Sequence, residues 1–262
     1  MQSAITGAVI QPTVWGNAVD FTITEWSAFA PGLTDRQAWL DWARNPVLPQ
    51  GDDSPALAEM PPMQRRRVEK LGRMALQVAY WCQSAEAAGM PLVFASRHGD
   101  LGRTYSMLQD LARGEALSPT SFGLSTHNAI AAQYSIARKL SDNYLAVSAG
   151  AASAEAAVVE ALGLLADGAA EVLVVMYDGL VPEPYAQFVD EPVCDYAWAW
   201  RLALPGPNDA RFSLTMAPEL ATAATTPASL PHGLEALHFL LSDQPGMDFS
   251  DPPRFWQWRR RV

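Results

Sequence analysis

The stretch Asn143–Glu160, NYLAVSAGAASAEAAVVE, decides how this chain is read. It reads as a buried strand, a sharp turn of small residues and then a helix. That is the layout of a nucleophile elbow, in which a reactive side chain sits at the positive end of a helix. The tip of this turn is Gly150. A glycine cannot attack, relay a proton or bind a metal, so the expected scaffold lacks its working atom.

Working outward, Val172–Met176 is a continuous apolar, largely β-branched run, as in a strand covered on both faces. Between them, Ala151–Ala166 predicts a helix ended by Gly168. Upstream, Leu92–Ala95 is a short buried strand, Leu101–Arg113 a helix, and Ser118-Pro119 leads into another running through Asn128 to Lys139. Pro61-Pro62 opens a long helix, with Val68, Leu71, Ala75, Val78 and Cys82 on one apolar stripe. Ala4–Ile10 is read as a first strand. Residues 12–59 offer one helical patch, near Asp35–Arg44. Ala197–Leu204 and Arg211–Met216 are expected to pair antiparallel around Pro205–Asn208, and Ala217–Ser229 to be a linker. Strands separated by helices place the chain in the α/β class. The expected division is a domain over 1–216 and a linker with an aromatic, basic tail over 217–262.

Composition narrows the function classes. The chain has 262 residues, 49% of them hydrophobic, enough for a compact core. A net charge of −10 argues against nucleic acid, which needs a basic footprint. No apolar run is long enough to span a membrane, and no signal peptide is expected at Met1–Thr24, so the expected location is cytoplasmic. Cys82 and Cys194 give neither a disulfide framework nor metal spacing, and no cofactor or metal is expected.

The elbow segment resembles the active-site region of β-ketoacyl synthases, whose pattern is roughly N-Y-x-V-S-x-A-C-A-T-G. Asn143, Tyr144, Val147 and Ser148 match it, and Gly150 falls where the cysteine nucleophile belongs. Ser118-Pro119, then Asn128 and Ala129-Ile130-Ala131-Ala132, match a second family segment at the same spacing. Trp26–Gly32 and Met63–Arg67 are similar to a short stand-alone family corresponding to the N-terminal half of such a synthase. The resemblance implies half of a thiolase-like fold: a mixed five-stranded sheet with helices on both faces. It also implies two catalytic histidines from a second half. The four histidines here, His98, His127, His232 and His238, do not stand in that order and are read as structural. Ser148, Ser153, Cys82 and Cys194 are the candidate substitute nucleophiles, none in a G-x-S-x-G setting.

The family forms dimers through the strand before the nucleophile, here Asn143, Tyr144, Leu145, Ala146, Val147, Ser148 and Ala149. The resemblance therefore implies a non-catalytic subunit of the chain length factor type. Such a subunit pairs with a full-length β-ketoacyl synthase in fatty acid or polyketide biosynthesis, and the half-length family points to aryl polyene clusters. Phe122 and Leu124, in the segment before the Asn128 helix, are implied to close the partner's acyl tunnel. Acyl carrier protein, being acidic, is a possible indirect partner for arginines. Arg65-Arg66-Arg67 is read as solvated, and Arg259-Arg260-Arg261 beside Trp256 and Trp258 as an interface candidate. Two alternatives stay open: an acyl thioester hydrolase or acyltransferase in a remodelled pocket, and a homodimeric scaffold.

Overall fold

The computed structural model describes residues 15–83, 89–218 and 228–261. Eight strands form one mixed sheet. In chain order they are β1 (Trp15–Phe29), β2 (Leu92–Ala95), β3 (Tyr144–Val147), β4 (Val172–Asp178), β5 (Tyr196–Ala203), β6 (Arg211–Pro218), β7 (Gly246–Asp251) and β8 (Arg254–Arg261). Their order across the sheet is β3-β2-β4-β5-β1-β6-β8-β7. The neighbours β3, β2 and β4 are parallel, and every other pair is antiparallel. The helices are α1 (Arg36–Trp42), α2 (Pro62–Arg65), α3 (Lys70–Cys82), α4 (Leu101–Ala112), α5 (Pro119–Leu124), α6 (Ala129–Arg138), α7 (Ser153–Ala166) and α8 (His232–Leu241).

The central strand β4 shows why the sheet has helices on both faces. All seven of its residues are buried. Val172, Val174 and Met176 point into one apolar cluster with α7, α8 and the tryptophans Trp198, Trp200 and Trp258. Leu173, Val175 and Tyr177 point into the other, with Met74, Val78 and Tyr134 of α3 and α6. That alternation is the two-residue period of a strand, here apolar on both sides.

The first five strands of the order, β3-β2-β4-β5-β1, form the expected half-fold with helices on both faces, but the sheet has eight strands rather than five. The extension arises from the length of β1. Its C-terminal part, Thr22–Phe29, pairs with β5, and Trp15–Phe21 pairs with β6 on its other edge. The expected antiparallel pair of residues 197–204 and 211–216 is thus corrected: β5 and β6 lie on opposite sides of β1. The strand expected at Ala4–Ile10 lies outside the described residues. The long helix from Pro61 is two helices, with a break at 66–69.

Residues 228–261 are not a tail. They form α8, β7 and β8, and β8 pairs with β6 over eight positions. Trp256 and Trp258 are buried, and Trp258 meets Phe21, Trp200 and Phe239 edge-on or tilted. Most of the expected linker, 219–227, lies outside the described residues.

Candidate functional site

Strand β3 is an edge. It pairs with β2 on one side, Leu92 opposite Tyr144 through Ala95 opposite Val147. Among the described residues nothing pairs with its other side. Leu145 and Val147 pack on the α7 side and Tyr144 on the α3 and α6 side, whereas Asn143, Ala146 and Ser148 are exposed and Ala149 is half-buried. A short parallel edge strand with open N–H and C=O groups is a template for another strand.

The elbow follows at the C-terminal end of β3. Gly150 has φ +62°, a left-handed conformation that suits glycine. It is exposed, and a Cβ placed on it would meet no heavy atom within 4 Å. The buckle of the turn is Ser153, which is fully buried. Its hydroxyl donates to Gly150 O at 2.7 Å and accepts from the Ala149 N–H at 3.0 Å. Ser148 donates its hydroxyl to Arg97 O at 3.0 Å. Both serines weighed as nucleophiles are therefore committed to backbone groups.

Behind the elbow, the loop from Ser96 to Asp100 is held by one carboxylate. Asp178, at the end of β4, accepts from the Ser96 hydroxyl at 2.7 Å and from the Arg97 and His98 amides at 3.0 and 3.1 Å. Burial pushes its acid upward, while these donors favour its ionised form. His127 Nε2 lies 3.1 Å from Val147 O, and because a carbonyl only accepts, that nitrogen carries the proton. His238 Nε2 likewise faces Ala43 O at 3.0 Å. Burial pushes both thiols, Cys82 and Cys194, up to about 12, so neither supplies a thiolate near neutral pH. Among the described residues no group of three His, Cys, Asp or Glu side chains could hold a metal.

The elbow neighbours a poorly covered arm. Helices α4 and α5 bury no residue, although α4 carries Leu108 and Leu111. Phe122 on α5 is 64% exposed, so it is not core. Leu124 lines a groove of about 300 Å³ with Met60, Met63, Arg67 and Ile136, between α2, α5 and α6.

The C-terminal arginine cluster differs from expectation, whereas Arg66 and Arg67 are exposed as expected. Arg259 and Arg261 pair with Asp248 and Asp20 within and beside the sheet. Arg260 donates to the carbonyls of Phe239, Leu240 and Ser242, capping the C-terminus of α8 as a cation should. The C-terminal cluster is thus structural rather than a free interface patch. In the other, Arg65 donates to Leu57 O and Arg66 approaches the Met63 sulfur, while Arg67 stays exposed on the groove rim.

One feature that the sequence reading did not single out lies under the elbow helix. Glu155 is a fully buried carboxylate on α7, and His232 at the start of α8 is buried against it, Nε2 to Oε1 2.6 Å. A lone acid on the apolar run ASAEAAVV was the available signal.

The profile described as "Beta-ketoacyl synthase, N-terminal domain" matches residues 39–259. The chain belongs to that family. A chain in the structure of the ketosynthase ApeO in complex with its chain length factor ApeC, from Xenorhabdus doucetiae, is 30% identical, with a TM-score of 0.75, covering 92% of this chain and 100% of that one. A β-ketoacyl synthase from Burkholderia phymatum STM815 is 14% identical, with a TM-score of 0.59 over 78% of this chain and 65% of that one. The ishigamide ketosynthase/chain length factor is 15% identical, with a TM-score of 0.54 over 76% and 68%. The last two show the fold alone. No curated protein matches the chain. Among the described residues no helix is long and apolar enough to cross a membrane.

Proposed function

We propose that this chain is a non-catalytic, chain length factor-type subunit that pairs in the cytoplasm with an active, full-length β-ketoacyl synthase. The observation that carries the reading is Gly150. The elbow keeps its strand, its left-handed tip and its helix, yet its tip offers no atom for an acyl group. The partner supplies the nucleophile and general acid–base groups.

This chain contributes surface. The open edge of β3 receives the partner's equivalent strand, and Asn143 to Ala149 form the middle of the contact. The α4–α5 arm, with nothing of its own buried, lies against the partner and projects Phe122 toward its acyl tunnel. There the ring sets where a growing chain stops. Each further methylene housed in an apolar tunnel gains about 0.8 kcal/mol, so a single aromatic stop can move a product distribution. Acyl carrier protein docks on the complex chiefly through the synthase. The pathway is of the fatty acid or polyketide type, and the family resemblance points to aryl polyene biosynthesis.

Support comes from the open edge, the exposed Phe122 and the 30% identity to a chain of a ketosynthase–chain length factor complex. The engagement of Ser148 and Ser153 by backbone groups leaves the hydrolase alternative without a candidate on the elbow. The test is co-expression with a full-length synthase. A 1:1 complex that elongates acyl chains, with this chain inert alone, is the expected result. A stoichiometric acyl adduct on this chain would refute the non-catalytic reading.

A further inference from the structure

The buried acid–histidine cluster beneath the elbow carries an inference independent of the partner. His232 has a carboxylate oxygen at each ring nitrogen: Glu155 Oε1 is 2.6 Å from Nε2, and Glu235 Oε2 is 3.1 Å from Nδ1. A neutral imidazole has one N–H and one lone pair. In that form one nitrogen would set its lone pair against a carboxylate. The geometry is satisfied when both nitrogens donate, that is, when His232 is an imidazolium.

Every C-terminal element meets at this point. His232 and Glu235 belong to α8. Phe249 of β7 stacks on the imidazole, with centroids 3.4 Å apart. Trp258 of β8 donates its indole N–H to the same Glu155 Oε1 at 2.8 Å. From the loop before β5, Glu191 accepts the His232 amide at 3.0 Å and pairs with Arg97, whose carbonyl accepts from Ser148 at the elbow. The charged groups facing His232 are thus Glu155 from α7, Glu235 from α8 and Glu191 from the loop, with Arg97 behind Glu191. Glu155 Oε2 is buried and has no hydrogen-bond partner, so Glu155 depends on Oε1 for its stabilisation.

We propose that His232 is an ionised latch that fastens the C-terminal layer, α8 with β7 and β8, onto the elbow helix α7, and that deprotonating it releases that layer. Desolvation by burial would lower the imidazole's pKa, but the adjoining Glu155 and Glu235 outweigh it and carry it up to about 9. The folded value therefore lies above the ordinary histidine value of about 6.5. The latch contributes fully below about pH 6.5, and its contribution is lost as pH rises through about 9.

The experiment is a pH titration of the whole chain carrying carbon-13-labelled histidine, read by NMR between pH 5.5 and 10.5. His232→Gln identifies the resonance by its loss. One imidazole should stay protonated past pH 8 and titrate near 9, and tryptophan emission, to which the buried Trp258 contributes, should change over the same range. Thermal melting should fall across that range in the unaltered chain and fall less in Glu155→Gln. If all four histidines titrate below pH 7.5, the latch is refuted. If His232 titrates near 9 while melting temperature and tryptophan emission do not move, the ion exists but fastens nothing, and the proposal also fails. The titration uses the unaltered chain, so it decides the charge state even if both variants fold poorly; four resonances then replace the single assignment.

Discussion

Gly150 and Phe122 are the residues on which the functional reading turns. Gly150→Cys would restore the family's atom at an open tip. Its backbone cost is about 1–2 kcal/mol for a side chain at left-handed φ, and no neighbour obstructs the Cβ. The variant should fold and still fail to condense acyl thioesters, because the four histidines are engaged elsewhere or stand outside the elbow; elongated product from the isolated variant would contradict this. Phe122→Ala should leave the melting temperature nearly unchanged, since an exposed ring gives up little burial. In the complex it should lengthen the product, as chromatography of released chains would show. The same change at a core position would cost about 3–5 kcal/mol. Glu155→Ala should be far more costly, about 3–5 kcal/mol in denaturant unfolding, because it strands a buried His232 charge. Gly150 was legible in the sequence because the surrounding elbow is local. The Glu155–His232 contact was not, because it joins residues 77 apart in sequence and no periodicity connects them.

Elements show the same divide between local and distant. Strand β4 and helix α7 were readable from apolar runs, and α6 in part, because the helix expected to run from Pro119 through Asn128 breaks at 125–128 between α5 and α6. Strand β1 was not: its stretch WGNAVDFTITEWSAF mixes polar residues on both faces, since each end faces a different neighbour. For β3, the open edge makes a sharp prediction. Ala146 is exposed in the lone chain, so Ala146→Asp should cost little stability, within about 0.5 kcal/mol. Set into an apolar interface, an unpaired carboxylate costs on the order of 2–5 kcal/mol. Ala146→Asp should therefore abolish co-purification with the synthase, whereas Val147→Lys, at a side chain packed toward α7, would chiefly disturb the fold. Retention of the partner by Ala146→Asp would move the interface elsewhere.

At the scale of the molecule, the C-terminal segment is the largest departure from the sequence reading. Aromatic and basic residues at 255–261 look like a surface tail when read in line. In three dimensions Trp256, Trp258 and Arg260 share one face, the tryptophans in the core and Arg260 on the carbonyls that end α8, while Arg259 on the other face pairs with Asp248. Trp258→Ala should lower unfolding free energy by about 3–5 kcal/mol, measured in urea, where a loose tail would show no change. The half-fold was legible because its pattern lies in contiguous motifs; of the three added strands β6 was legible as a strand but with the wrong partner, and β7 and β8 were not, because only the length of β1 gives them a place. The proposed function divides the labour between this chain and a catalytic partner. Native mass spectrometry of the chain co-expressed with a full-length synthase, after exposure to an acyl thioester, tests it most directly. The expected result is a 1:1 complex bearing one acyl group, and that group on the synthase. A chain that appears without the synthase, or that carries the acyl group itself, would contradict it.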